Sequence, residues 1–474
     1  MGSELIQISP AGSNPMALRK TSDTGRSGAE ADHSTGLTGK TFYIETFGCQ
    51  MNVHDSEKVA GTLQAQGYCL SSNPEDADLI LYNTCSIREK AAQKVFSRLG
   101  AFKKTHRENQ MLGVLGCVAQ QEGERIFERA PHVNLVCGSA SYPRLGELVD
   151  RLEHGERRVT GLSLDTDECF ETELTRRDNP FRAYITIIEG CNKACTYCVV
   201  PGTRGPERSR PSAKIMQEAQ RLADEGYSEI QLLGQTVNSY RDPSPACLRF
   251  SDLLLSVADI TGIRRVRFTT SHPSDFTADI VRAIETTPAL CNHIHLPVQC
   301  GSNRVLARMR RTYTREDYLE KISCIRGAKR AISISSDIIV GFCGESEEDF
   351  EQTLSLLDAV EYDQVFSFKY SQRPKTDAAT MEDSVREDEK GRRLAMLQER
   401  QRQIQLRRNQ ALIGNCFEVL VESFHPKLGQ AVGRTSSNHI INFAGEAGWT
   451  GRYMDVRVTA AGPNSLVGVR AVPN

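Results

Sequence analysis

Between residues 40 and 155, short apolar runs alternate with helical patterns. The runs at 41–47, 78–82, 111–116 and 133–137 read as strands. The stretches 54–66 and 86–104 repeat apolar positions at the three-to-four-residue interval of an amphipathic helix. Strand–helix alternation of this kind predicts an open parallel sheet with crossover helices. A second series has strands at 184–189, 229–234, 265–270, 293–298, 334–340 and 364–370. Helices are expected over 212–225, 249–260, 276–287, 314–330 and 346–361. Six such units predict a barrel or partial barrel, and periodicity does not separate the two. Residues 386–408 form a charged helical pattern, expected as a solvated connection between domains. The pattern then changes to short apolar segments at 416–421, 430–434, 439–443, 453–459 and 466–472, punctuated by Gly, Asn, Pro and Ser. That predicts a small five-stranded antiparallel barrel of the oligonucleotide-binding type.

The expected organisation is therefore α/β and multidomain. Residues 1–39, rich in small and polar residues, are expected to be a disordered tail. Residues 40–155 form the first domain, 156–178 a polar linker, 179–405 the six-unit domain and 409–474 the β-barrel.

Composition narrows the function classes. Fifty-eight Lys and Arg against 60 Asp and Glu give a formal net charge of -2, which excludes a polycation but not a local nucleic-acid patch. No apolar stretch is long enough to span a bilayer, so no membrane partner is expected. The sequence shows no secretory signal pattern, and a cytoplasmic, reducing setting is expected. In that setting fifteen Cys, an odd number, suggest metal or redox chemistry rather than a disulfide framework.

The cysteines fall into two informative groups. Cys191, Cys195 and Cys198 lie just beyond the first strand of the second series, close enough for a short loop to bring all three to one cubane cluster. Such a cluster would keep its fourth iron open. Zinc is the competing reading, but a closed zinc site needs a fourth ligand. Cys49, Cys85 and Cys117 each follow a different strand of the first series. In an open parallel sheet these positions share the carboxyl edge, where ligands bind. They would hold a second cluster, or else are small residues packed at strand-to-helix turns.

The triplet Gly190-Cys191-Asn192-Lys193-Ala194-Cys195-Thr196-Tyr197-Cys198, after the first strand of a six-unit repeat, resembles the radical S-adenosylmethionine (SAM) enzymes. The segments FGCQMN at 47–52, NTCSIREK at 83–90, GCVAQ at 116–120, CNKACTYCVVPGTRG at 191–205, LLGQTVNSY at 232–240, HLPVQCGS at 295–302 and DIIVGF at 337–342 resemble the tRNA methylthiotransferases within that superfamily. The likeness covers about 40–474 and includes the terminal β domain called TRAM. The NTCSIREKA form at 83–91 resembles the subtype that modifies N6-isopentenyladenosine. The sequence departs from the pattern at Ala194, Gly202, Cys300 and Cys343, and Cys137 ends a strand without a ligand role in the family.

This resemblance implies two 4Fe–4S clusters, with Cys191, Cys195 and Cys198 holding the one that cleaves SAM and Cys49, Cys85 and Cys117 an auxiliary one. It implies that the open iron chelates SAM and that one-electron reduction gives a 5′-deoxyadenosyl radical. Tyr197, then Gly234, Gln235 and Thr236, then Val340, Gly341 and Phe342 are implied SAM contacts. The expected reaction places a methylthio group on C2 of N6-isopentenyladenosine at tRNA position 37, using two SAM and sulfur delivered through the auxiliary cluster. Implied partners are that tRNA, a low-potential donor such as flavodoxin or ferredoxin, and a sulfur or iron–sulfur carrier; a monomer is expected. Arg204, Arg208, Arg210, Lys427, Arg434, Arg452 and Arg457 are candidate RNA contacts, with solubilising surface charge as the alternative. No separate acid or base is assigned. Two other readings stand beside this one. One is a methylthiotransferase for threonylcarbamoyl-adenosine or a ribosomal-protein aspartate. The other is a non-catalytic iron–sulfur RNA-binding redox sensor.

Overall fold

The computed structural model describes residues 16–17, 39–86, 89–105, 107, 109–164, 174–245 and 247–471. Most of the tail expected over 1–39 lies outside the described residues. Within it, Met16–Ala17 pairs antiparallel with Thr46 and Glu45.

In the first domain, strands β1 (Thr41–Phe47), β2 (Leu79–Thr84), β3 (Met111–Gly116), β4 (Leu135–Cys137) and β5 (Val159–Gly161) pair in parallel in that order. Alternate residues serve two cores. Ile44, Leu81, Leu115 and Leu135 face one side, and Tyr43, Ile80, Val114 and Val136 the other. Burial on both faces explains why these strands read as near-continuous apolar runs. Helix α1 (Gln50–Ala65) follows β1, and the six-residue helix α2 (Cys117–Glu122) follows β3. Strand β5 falls within the stretch expected to be a linker. Its three residues, Val-Thr-Gly, are too few to carry a period, and pairing with β4 alone defines them.

The second series builds an arc. Strands β6 (Arg182–Thr186), β7 (Glu229–Leu233) and β8 (Arg265–Phe268) form one parallel sheet, with β7 between the other two. Strands β9 (His293–His295), β10 (Ser333–Val340) and β11 (Gln364–Lys369) form another, with β10 in the middle. A parallel bridge from Val266 to Leu290 joins the two, so the arc is a partial barrel with β6 and β11 at its edges. Ile185, Ile230, Leu232, Val266, Ile294 and Ile338 pack against the surrounding helices. The short helix α3 (Val200–Arg204) follows the cysteine triplet.

Strands β12 (Cys416–His425), β13 (Gln430–Thr435), β14 (Ile440–Ala444), β15 (Tyr453–Ala461) and β16 (Leu466–Arg470) close a barrel in the order β12-β13-β14-β16-β15. Closure by the β12–β15 pairing leaves no unpaired edge. This barrel sits on the first residues of the central strands. Arg265 donates to the carbonyls of Arg434 at 2.8 Å and Glu418 at 2.7 Å. Arg267 donates to Thr435 O at 2.6 Å and to the Glu229 carboxylate at 3.0 Å. Arg182 pairs with Glu422 at 2.8 Å. Helix α4 (Glu387–Gln410) connects the two domains, burying Leu397 and Ile404, and Arg407 and Arg408 pair with Glu361 and Asp363. It is a packed connector with its terminal cations already engaged.

Candidate functional site

The first three cysteines stand at adjoining strand ends. Phe47 pairs with Thr84, and Thr84 with Gly116, so Cys49, Cys85 and Cys117 follow a single row across the sheet. Cys49 caps α1, and Cys117 opens α2. Gly48 has a φ of +143°, and a Cβ there would overlap Cys85 Cβ. Glycine lets the Cys49 turn approach the end of β2. Cys49 Sγ meets Asn52 Oδ1 at 3.3 Å, and Asn52 Nδ2 donates to Asn83 Oδ1 at 3.2 Å. Asn83 in turn donates to Asn52 O and Ser56 Oγ, both at 2.9 Å, and accepts from the Tyr142 hydroxyl at 3.3 Å. This buried polar network fixes the floor beneath the thiols. A hydrogen bond with Cys85 is the largest influence on Cys49; it brings the thiol down to about 6 against the opposing effect of burial, with help from the Asn52 amide and the Arg204 charge. A thiol held below its usual range gives up its proton to a metal more readily.

The second group lies at the carboxyl end of the central arc. Gly190 has a φ of +76°, and a Cβ there would run into the Pro206 carbonyl. Cys191 N donates to Gly205 O at 3.2 Å, which closes the loop on itself. Cys191 Sγ lies 3.6 Å from Thr236 Oγ1, so the segment Gly234-Gln235-Thr236 reaches the triplet. Gln235 Oε1 is buried without a hydrogen-bond partner among the described residues. Tyr197 meets Phe342 edge-on at 6.3 Å, which brings the segment Val340-Gly341-Phe342 to the other side. Gly341 N donates to Glu345 Oε1 at 2.8 Å. Burial raises Cys191 and pushes Cys198 up to about 12, so a metal would bind these two with release of their protons. Arg311 Nη1 donates to Cys195 Sγ at 3.3 Å.

Among the described residues, no three His, Cys, Asp or Glu side chains gather around one ion-sized point. A cubane places each thiolate on a different iron, so it does not require such convergence. Three thiols on one sheet edge, and three in one loop, fit that donor set.

Other expected residues separate. Arg204 is buried against Asp55 at 2.5 Å, and Arg210 is buried against Glu218. Arg434 pairs with Glu422 at 3.1 Å. Those three guanidinium groups are engaged in protein ion pairs, so they do not form a free phosphate-binding face. Arg208 lies half-buried in a short antiparallel pairing with Glu189, across the base of the cysteine loop. Lys427, Arg452 and Arg457 are exposed on the barrel. Cys137, Cys300 and Cys343 are buried and hydrogen-bonded to Gly138 O, Thr353 and Ala378 O respectively. Sequence reasoning passed over Asn52, Asn83, Asp55 and Arg311. The two asparagines flank the cysteines in the quoted motifs, and that adjacency was their only signal.

Three stretches match known families. Residues 41–138 match uncharacterized protein family UPF0004, 185–357 the radical SAM superfamily and 410–469 the TRAM domain. The tRNA-2-methylthio-N(6)-dimethylallyladenosine synthase of Solibacter usitatus is 62% identical over 92% of this chain and 99% of its own length. The chain belongs to that family. Relatives of the same name from Koribacter versatilis and Aquifex aeolicus are 58% and 45% identical, each over 90% of this chain and 98% of their own length. Among solved structures, the radical SAM methyltransferase TsrM of Kitasatospora setae aligns with a TM-score of 0.52 at 15% identity, covering 68% of this chain and 70% of that one. That likeness supports the fold alone. As a radical SAM synthase, the family member described here uses a 4Fe–4S cluster and SAM in its central domain.

Proposed function

We propose that this chain places a methylthio group on C2 of N6-isopentenyladenosine at tRNA position 37, with two cluster sites working across one domain boundary. The observation that carries the two-site reading is the packing of α2, which begins at Cys117, directly on α3, which follows Cys198. One cysteine group thereby faces the other's loop. When bound, the two clusters would supply the electron that cleaves SAM and the sulfur that is transferred.

The chain's own residues would then do the following. Cys191, Cys195 and Cys198 hold the first cluster, and Cys49, Cys85 and Cys117 the second. Thr236 and Gln235 offer polar atoms to the amino acid portion of SAM. Tyr197 and Phe342 enclose its adenine. The surrounding apolar side chains keep water from a reactive radical. Lys427, Arg452 and Arg457 on the barrel attract the RNA backbone. An anticodon loop is already single-stranded, so presenting its base costs less than opening a duplex. A low-potential flavodoxin or ferredoxin and a sulfur or iron–sulfur carrier complete the cycle in the cytoplasm.

Two measurements test this reading. Anaerobic reconstitution should give about eight irons per chain, and about four in a Cys191/Cys195/Cys198→Ala variant, the stoichiometry of two four-iron clusters. Nucleoside profiling of tRNA from a deletion strain should show 2-methylthio-N6-isopentenyladenosine lost, with its unmethylthiolated precursor retained. Persistence of the methylthio nucleoside would defeat the assignment.

A further inference from the structure

Arg204 belongs to the central domain but spends its charge in the neighbouring one. It ends α3, six residues beyond Cys198, and its Nη2 bonds Asp55 Oδ2 at 2.5 Å. Asp55 lies on α1, the helix that Cys49 caps. Both side chains are almost fully enclosed, at 4% and 2% exposure. The positive charge is close enough to act on both Cys49 and Cys117. The other terminal nitrogen, Nη1, is buried and has no hydrogen-bond partner among the described residues.

A buried guanidinium N–H with no acceptor forfeits its hydration without compensation. Guanidinium is a flat fork whose two ends can serve two different acceptors, whereas an ammonium is a single point charge. One tine of this fork is used on Asp55. The second is buried without an acceptor among the described residues at the end of α3, the helix packed on α2, which begins at Cys117; a soft anion held at that cysteine group would complete it.

We infer that Arg204 is a sulfur-positioning residue: its Nη1–H donates to the sulfur group carried at the Cys49/Cys85/Cys117 site, so the loop following one cysteine triplet closes the other triplet's site. The inference rests on the auxiliary-cluster reading. It makes Arg204 more than an interdomain strut, because a strut would need only the Asp55 pair. It also identifies the ligand class as a thiolate or sulfide, an anion that accepts a charged hydrogen bond.

The test uses the full-length Cys191/Cys195/Cys198→Ala variant, reconstituted so that only the auxiliary site can hold iron. Methanethiolate, the simplest carrier of the transferred group, is titrated in while the reduced cluster is followed by electron paramagnetic resonance. Arg204→Lys in the same background keeps a cation for Asp55 but removes the fork. The expected result is about four irons in both proteins and methanethiolate binding at least about tenfold weaker in the Lys variant, the loss associated with one charged hydrogen bond. Equal affinity at equal iron content overturns the inference and leaves the two-cluster reading intact. An iron-free parent overturns the two-cluster reading, and the inference with it. A second measurement needs no substitution at Arg204. With 15N-guanidino arginine in the parent, pulsed resonance should detect a nitrogen coupling that changes when methanethiolate binds. A parent that binds methanethiolate with no such change also overturns the inference.

Discussion

Arg311 Nη1 donates to Cys195 Sγ across 3.3 Å, while its other nitrogens hold the Tyr313 hydroxyl at 2.8 Å and Pro297 O at 3.2 Å. The guanidinium is clamped from three sides, so its charge stays fixed beside a cysteine proposed to ligate iron. Hydrogen bonds and positive charge at cluster sulfurs favour the reduced state. Arg311→Met should lower the midpoint potential of the central cluster by about 59 mV, a tenfold fall in the reduced-to-oxidised ratio at fixed potential. Arg311→Lys should fall between. A redox titration followed by electron paramagnetic resonance measures both, and an unchanged midpoint in the Met variant would dismiss the tuning role.

Arg267 and Glu229 should matter for docking of the terminal barrel rather than for chemistry. Their side chains are 6% and 1% exposed. Arg267→Ala leaves the buried Glu229 carboxylate short of a partner and removes the bond to Thr435 O. Breaking one side of such a pair costs about 3–5 kcal/mol. Urea unfolding should show that loss, and limited proteolysis should expose the residues joining α4 to the barrel sooner than in the parent.

Gly190→Ala tests the loop that presents the central triplet. The substitution forces an alanine into a left-handed conformation and drives its methyl group into the Pro206 carbonyl. Strain of this kind costs about 1–3 kcal/mol. Thermal unfolding should move down, and iron retained at the central site should fall. Normal iron with an unshifted transition would show that the loop has room to relax.

His272 should contribute to the acid limb of stability. Its ring nitrogen Nδ1 accepts from Ser274 N at 3.2 Å, and burial, aided by the Arg311 and Lys193 charges, holds it down to about 2. An unfolded histidine takes up its proton near pH 6.5. Between about pH 6.5 and 2 the unfolded chain therefore binds one more proton at this position, and native stability falls as pH falls. His272→Asn keeps an acceptor and removes the titration. The stability-versus-pH slope below pH 6 should become shallower by about 1.4 kcal/mol per pH unit. An identical slope in the two proteins would show that His272 protonates without unfolding.

Much of the architecture was legible because the apolar runs are long and their spacing regular. All six central strands and all five barrel strands fall where the pattern put them, within a few residues. Strand β5 escaped because three residues, Val159 to Gly161, cannot display a period. The cysteine groups were readable for a different reason, since each lies within a few residues of a strand end. The arginines were not. Asp55 is 149 positions from Arg204, so nothing local marks the pair. Glu422 likewise neutralises Arg434 from the neighbouring strand. A sequence displays charge, but whether a charge meets solvent or a buried carboxylate depends on contacts that only folding creates.

The terminal barrel grips the starting ends of the central strands, whereas the proposed chemistry lies at their finishing ends. Strand β10, eight residues long, spans that separation and corresponds to roughly 26 Å of extended chain. Because Arg182, Arg265 and Arg267 anchor the barrel through buried and partly buried hydrogen bonds, this spacing is held by packing rather than by a tether. In the proposed function this spacing would serve as a caliper. An RNA held at the barrel can deliver a base to the cysteine sites only if its own fold sets grip and target that far apart, so recognition can reside in the shape of a stem and loop as well as in the identity of the base.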